Sequence, residues 1–189
     1  MDSLEKFREL INGCISGSRH SQNHLYKMLA PNMYAVCLRY SKNREEAEEI
    51  LQEGFIRVFG FMHQYKYKGS FEGWVRKIMV NCALQKYRSK KEMHVVSNLD
   101  NAIIEEYGSE DIISRISVKE LLGMIQQLSP AYRTIFNLYV FEGMKHREIA
   151  KHLGISEGTS KSNLSDARLF LKKAVFKSMQ IVDQKINEG

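Results

Sequence analysis

Two stretches of this chain set residue types suited to nucleic acid at helical spacing. In the first, Lys77, Asn81, Gln85 and Arg88 recur at intervals of four, four and three, so one side of a helix carries cations and amides. Tyr65, Tyr67, Phe71 and Trp74 crowd the start of that helix, around a break at Gly69-Ser70. Cations track phosphates, and aromatic faces stack on unpaired bases at about 1–3 kcal/mol each. The combination points to single-stranded nucleic acid. Phe71 and Trp74 also fit the apolar stripe that continues through Val75, Ile78, Met79, Cys82 and Ala83, and the spacing leaves both uses open.

The second stretch is "GISEGTSKSNLSDAR", Gly154 to Arg168, a helix of short polar side chains between two apolar runs. Its surroundings explain it. Ile149, Ala150 and Leu153 make the buried stripe of a preceding helix, with Ala150 small enough for a close crossing. Gly154 supplies a tight turn, Ile155 fills the corner, and Ser156 caps the next helix with Glu157 in its first turn. The polar helix then buries only a seam of Leu164, Ala167 and Leu171. Thr159, Lys161, Ser162, Asn163 and Ser165 remain for base edges and phosphates in a major groove. Upstream, Ser129-Pro130 starts a helix that offers Ile135, Phe136, Leu138 and Tyr139 to a core, and Gly143 ends it.

A third surface is acidic. Ala47, Ile50, Leu51, Gly54, Phe55, Val58 and Phe59 follow the rhythm of one buried helix face. The opposite face holds Glu45, Glu49, Gln52, Glu53 and Ile56, and an exposed isoleucine among carboxylates is the hint of a protein partner. No constellation for catalysis, cofactor or metal accompanies these elements. His20 and His24 stand four apart but lack a third ligand.

The elements that must position these residues are helices throughout. Two prolines in 189 residues, a 43% hydrophobic share and the lack of period-two alternation predict an all-α protein. Charge is sorted along it. Residues 41–60 hold three bases and five acids; 61–92 hold eight against two; 93–120 two against six; 143–177 eight against three. Two basic segments separated by an acidic one predict two anion-binding modules. They form two small helical domains, residues 1–92 and 113–189, joined by a flexible acidic linker at 93–112. Cys14, Cys37 and Cys82 have no CxxC spacing and predict plain core thiols in a reducing cytoplasm. The charged "MDSLEKFREL" start and the lack of a long apolar run predict a soluble chain without membrane insertion.

With both modules in view, the chain resembles a bacterial RNA polymerase sigma factor of the extracytoplasmic-function (ECF) type. "EEAEEILQEGFIRVF" resembles the helix that such factors dock on the β′ coiled coil of core polymerase. "GSFEGWVRKIMVNCALQKYR" resembles the segment that melts and reads the promoter −10 element. "LSPAYRTIFNLYVFEGMKHREIAKHLGISEGTSKSNLSDAR" resembles the −35-binding helix-turn-helix. The resemblance implies polymerase contacts at Glu49, Gln52, Glu53 and Ile56, with a further contact of the factor to the β flap. It implies −10 DNA contacts or their support at Lys68, Gly69, Ser70, Phe71, Trp74, Lys77, Asn81, Lys86 and Arg88. It implies −35 contacts at Lys161, Ser162, Asn163 and Ser165, beside the Thr159 already read from the polar helix, and an anti-sigma partner. The chain departs from the pattern at Ser160, where the family packs Val or Ile, and at Asn163 and Asp166, where Arg is frequent. Ser160 predicts a less firmly seated recognition helix, and Asp166 the loss of a phosphate contact. The rival reading is a stand-alone helix-turn-helix regulator of duplex DNA, in which the basic-aromatic segment from Tyr65 has no role.

Overall fold

The computed structural model describes residues 3–93 and 117–187, and among these every regular element is helical. The chain divides into two compact units, Met1–Lys86 and Tyr87–Gly189, a division that falls inside the fourth helix. The expected linker, apart from Met93, lies outside the described residues.

The first unit begins with α1 (Ser3–Ile15) and α2 (Arg19–Tyr40), the latter capped by Ser18, whose hydroxyl accepts from the Ser21 N–H at 3.3 Å. α3 (Arg44–Phe61) starts with a reciprocal cap. Asn43 Oδ1 accepts from the Glu46 N–H (3.0 Å), and the Glu46 carboxylate accepts from the Lys42 N–H (2.7 Å). A 3₁₀ turn (Met62–Gln64) and a loop lead into α4 (Phe71–Met93), where Ser70 Oγ accepts from the Gly73 N–H at 3.1 Å. The core is Ile11 and Cys14 of α1, Leu25, Leu29, Met33 and Val36 of α2, Ile50, Phe55 and Val58 of α3, and Val75 and Met79 of α4. Gly54 lets α3 and α4 approach, since a Cβ there would fall 2.1 Å from Met79 Sδ. The α3 stripe read from the sequence is buried except for Phe59, which is half-buried.

The second unit holds α5 (Val118–Gln127), α6 (Pro130–Val140), α7 (His146–Leu153) and α8 (Glu157–Asn187). Ser117 and Glu120 form a capping box on α5, and Ser129 caps α6 with Pro130 as its first residue. Met124, Ile125, Leu128, Ile135, Leu138, Ile149, Leu153, Leu164 and Ala167 are buried. α8 packs on α5, α6 and α7, and so closes this core. Tyr139 departs from the expected core set: it is 36% exposed. All three cysteines are buried and free, and burial pushes the Cys37 thiol up to about 12, which keeps it protonated and inert.

Candidate nucleic-acid interface

On α4, Lys77, Asn81 and Gln85 are exposed, so this part of the row read from the sequence faces solvent in the first unit. Arg88, in the second unit, is exposed and donates to the His152 carbonyl. Lys68, Gly69 and Ser70 are exposed in the loop before it. Lys86 is placed differently. It is part-buried and its ammonium is paired with Glu49 of α3, so the expected DNA residue and an expected polymerase residue hold each other.

The aromatic residues divide by burial. Phe71 is 4% exposed and packs edge-on against Phe7 of α1 (ring centroids 5.6 Å) and Tyr65 (5.0 Å). A base cannot stack on a ring so enclosed, and Phe71 acts as the floor of the loop. Trp74 is half-buried, with its ring 5.6 Å from both Tyr65 and Phe71. Tyr65 ties the loop together by donating its phenol to the Gly69 carbonyl at 2.9 Å. Gly69 sits at φ 81°, a conformation open to glycine. Tyr67 sits at φ 55°, the positive-φ residue that is not glycine among those described. A side chain there costs about 1–2 kcal/mol.

The acidic face of α3 is displayed as expected: Glu45, Glu49, Gln52 and Glu53 are exposed, and Ile56 is 67% exposed. Two of its charges are already partnered, Glu49 by Lys86 and Glu53 by Arg57. Arg57 Nε donates to Glu53 Oε1 at 2.7 Å, and Arg57 Nη1 donates to Gln85 Oε1 at 2.6 Å. Exposed pairs of this kind contribute about 0.2–1 kcal/mol, so a partner's cations can replace them at little cost.

In the second unit the turn of the motif is built as read. Gly154 is left-handed at φ 63°, and the Ile155 N–H closes on the Ala150 carbonyl at 3.1 Å. Ser156 Oγ accepts from the Thr159 N–H at 2.9 Å. Thr159, Lys161, Ser162 and Ser165 are exposed along α8 and Asn163 is half-buried, while Leu164 and Ala167 are buried on the other side. Thr159 shares its hydroxyl with Ser156 (2.9 Å), and Ser162 donates back to the Thr159 carbonyl (3.2 Å). Lys161 and Ser165 are thus the simplest groups to offer to DNA. Glu148 caps α7 in place of the usual hydroxyl residue, its carboxylate accepting from the Lys145 N–H at 2.7 Å.

Ser160 and Asp166 have partners that sequence reasoning did not supply. Ser160 is 0% exposed, and its hydroxyl pairs with His146 Nδ1 at 2.9 Å, a polar pin where an apolar plug was expected. The His146 ring in turn stacks on Tyr139, centroids 4.8 Å apart. Asp166 Oδ2 accepts from the Tyr132 phenol at 3.2 Å, which ties α8 to α6. Burial and the Asp166 carboxylate together raise the Tyr132 phenol above its ordinary value. Among the described residues no group of His, Cys, Asp and Glu is arranged to hold a metal, and no helix is long and apolar enough to cross a membrane.

The Sigma-70 region 2 family matches residues 25–92, and the Sigma-70, region 4 family matches residues 119–171. The ECF RNA polymerase sigma factor SigE of Mycolicibacterium smegmatis is 31% identical over 157 residues, which span 80% of this chain and 60% of that protein. The ECF RNA polymerase sigma factor SigM of Bacillus subtilis is 27% identical over 152 residues, spanning 79% of this chain and 92% of its own length. Among solved structures, the sigma factor RpoE of Bartonella quintana, in complex with the anti-sigma factor NepR, covers 81% of this chain and 95% of its own, with 20% identity and a TM-score of 0.48. A free-standing regulator has no use for a region 2 segment ahead of its helix-turn-helix, and this chain, with both regions in order, belongs to the ECF-type sigma factors, which direct promoter-specific transcription initiation.

Proposed function

We propose that two domains divide promoter recognition between them, with residues 1–92 binding core polymerase and −10 DNA and residues 113–189 binding the −35 duplex. The observation that carries this reading is the α4 stripe. Lys77, Asn81 and Gln85 stand exposed on the helix that follows a loop whose aromatic rings are gathered on Phe71, with Arg88 further along the same helix. Cations and amides next to stacked rings suit an unpaired strand and have little to do on an intact duplex. Lys68, Gly69 and Ser70 form the exposed edge that meets the melted strand, with Phe71 and Trp74 beneath it and Asn81 supporting it.

On α3, Glu49, Gln52, Glu53 and Ile56 form the face for the polymerase β′ coiled coil. Polymerase cations there displace Arg57 and Lys86 from their carboxylates, which releases Lys86 toward DNA backbone. On α8, Lys161 and Ser165 lead the −35 contacts, with Thr159, Ser162 and Asn163 beside them. Residues 93–112 act as the tether. Splitting the DNA contacts across two tethered units raises the effective concentration of the second once the first is bound. The factor works by binding, with no catalytic step of its own, in the cytoplasm with polymerase, and an anti-sigma partner holds it inactive.

The test is co-migration of the purified chain with bacterial core RNA polymerase, with and without Glu53→Lys. Stable binding that the charge reversal disrupts is expected. Absence of core binding, together with tight salt-dependent binding to duplex DNA by the chain alone, would hand the protein to the regulator class. Lys161→Ala is expected to weaken −35 binding by about 1–3 kcal/mol if its ammonium reads a base, and an unchanged footprint removes it from the site.

A further inference from the structure

Residues 10–44 contain no aspartate or glutamate, while Arg19, Lys27, Arg39, Lys42 and Arg44 all fall within them. Two of these bases stand on the first half of α2. Arg19, Asn23 and Lys27 follow one another at intervals of four, beside a parallel row of His20, His24 and Met28. All six are exposed, and all but Arg19 line one open cleft of about 420 Å³. None of the five polar side chains has a hydrogen bond or ion pair among the described residues. Arg57 and Lys86 of the same unit are matched to Glu53 and Glu49; Arg19 and Lys27 have no such match there.

The chain around the cleft supplies no acid either. Gly13 of α1 lies against Ser21, so the end of α1 runs beside the start of α2, and residues 10–18 carry no carboxylate. Tyr26 packs on Phe55 of α3 with ring centroids 4.6 Å apart, and residues 54–71 are acid-free as well. Guanidinium, ammonium, imidazole and amide groups without a carboxylate among them suit an anion. Arg19 stands in the first turn of α2, where the helix macrodipole favours acids, so helix stability does not account for it. Met28 is the apolar member of the lining, and a protein interface would need a larger apolar centre. Backbone phosphates need only donors.

We propose that this face of α2 is a further DNA-backbone site, in which Arg19 and Lys27 pair with phosphates of one strand of duplex DNA and Asn23 donates between them. His20 and His24 border the same strand. Four residues advance about 6 Å along a helix, a step comparable to that between neighbouring phosphates, so the row follows a strand. The site is separate from the α4 stripe and from the loop before it. Arg19 to His24 also precede the residues that match Sigma-70 region 2. The site reads no sequence and adds salt-dependent affinity for the DNA that the other contacts select. It rests on the reading of the chain as a promoter binder.

The experiment uses the full chain bound to core polymerase, with a fluorescein-labelled duplex DNA of mixed sequence as probe. Anisotropy is read across a salt series and compared with that of core polymerase alone. The double variant Arg19→Gln with Lys27→Gln removes two exposed charges, and circular dichroism checks that its helices are kept. Each lost phosphate contact takes about 0.9 from the slope of log affinity against log salt. Over a roughly fourfold rise in salt the unmodified complex is therefore expected to lose about tenfold more affinity than the double variant. Lys27→Arg keeps the charge and is expected to match the unmodified chain. Lys6→Gln removes a charge from the exposed surface of α1 and is expected to match it too. Co-migration with core polymerase should be unchanged in every variant. If the unmodified complex binds the probe more tightly than core alone and the double variant keeps its slope and affinity, the α2 site is overturned while the promoter reading stands. An equal loss in Lys6→Gln also overturns it, by assigning the effect to net charge. Loss of co-migration in the double variant would give the face to an acidic protein surface instead. If the chain adds no duplex binding to core polymerase, the promoter reading falls and the site with it.

Discussion

Each unit places a left-handed residue where its candidate DNA element is aimed, and the two are filled differently. In the second unit Gly154, at φ 63°, turns the chain between α7 and α8 without a side chain to strain. In the first unit Tyr67, at φ 55°, accepts the strain and keeps a ring. The turn of a helix-turn-helix needs only to redirect the chain, so glycine serves. On the proposed reading the loop before α4 presents groups to DNA, and a glycine in place of Tyr67 would remove an exposed side chain from it. The same contrast runs through the support of each element. The loop rests on Phe7, Phe71 and Trp74, whereas α8 is held by an apolar seam together with two polar ties, Ser160 to His146 and Asp166 to Tyr132.

The largest effects test whether apolar packing or the polar ties dominate in the second unit. Leu138 is 0% exposed beneath α8, and Leu138→Ala is expected to lower unfolding free energy by about 2–5 kcal/mol in a denaturant titration. The His146–Ser160 pair should respond asymmetrically. His146→Leu leaves a fully buried hydroxyl without its partner and is expected to cost about 1–3 kcal/mol. Ser160→Ala leaves a half-exposed imidazole that water can reach, and should cost less than about 1 kcal/mol. Equal costs would mean that the hydroxyl is no more dependent on its partner than the ring is, and the pin would then be incidental to the seating of α8.

Next in size is the contrast of the left-handed residues themselves. Gly154→Ala puts a Cβ on a left-handed backbone and is expected to cost about 1–2 kcal/mol. Tyr67→Gly relieves the corresponding strain but frees the unfolded chain, and should change stability by less than about 1 kcal/mol in either direction. Thermal unfolding of both variants measures this directly. A large loss in Tyr67→Gly would show that the ring is structural, and would take away the contrast between a turn that only redirects and a loop that displays.

Much of this was legible in the sequence because periodicity records which face of a helix is buried. The stripes of α3 and α4 and the seam of Leu164 and Ala167 are where the spacing puts them. The capping residues Ser129 and Ser156 were equally readable, since a cap is a local matter. What could not be read are pairings between distant segments. Ser160 looked like a missing plug because its partner His146 lies on the preceding helix. Asp166 looked like a lost phosphate contact because nothing local announces Tyr132. Lys86 fits the basic run of α4 by type, and only packing of α3 against α4 shows that Glu49 holds it. Phe71 belonged to two patterns at once, and burial decides for the core.

The last comparison is one of pH. The buried Cys37 thiol of the first unit gives an alkaline contribution of its own, and in the second unit two polar groups that hold the helices act at opposite ends of the scale. Glu120 accepts from both the Ser117 N–H and its hydroxyl, and these bonds keep its carboxyl below the ordinary value of 4.5. A carboxyl lowered on folding stabilises the fold fully above its ordinary value, and that contribution disappears as pH falls through the lowered one. Tyr132 shifts the other way. Its phenol is raised above 10.0 by burial first and by Asp166 second, so its contribution is complete below that value and disappears as pH rises through the raised one. The two groups therefore act at opposite ends of the pH scale. Unfolding of the chain followed from acid to alkali should show both slopes, with Glu120→Gln removing part of the acid one and Tyr132→Phe part of the alkaline one. The fully exposed capping carboxylate is expected to give the weaker slope, because water already solvates it well in both states. The part of the alkaline slope that Tyr132→Phe removes belongs to the tie between α6 and α8 if Asp166→Asn removes it too, and to burial of the phenol if Tyr132→Phe removes it and Asp166→Asn leaves it.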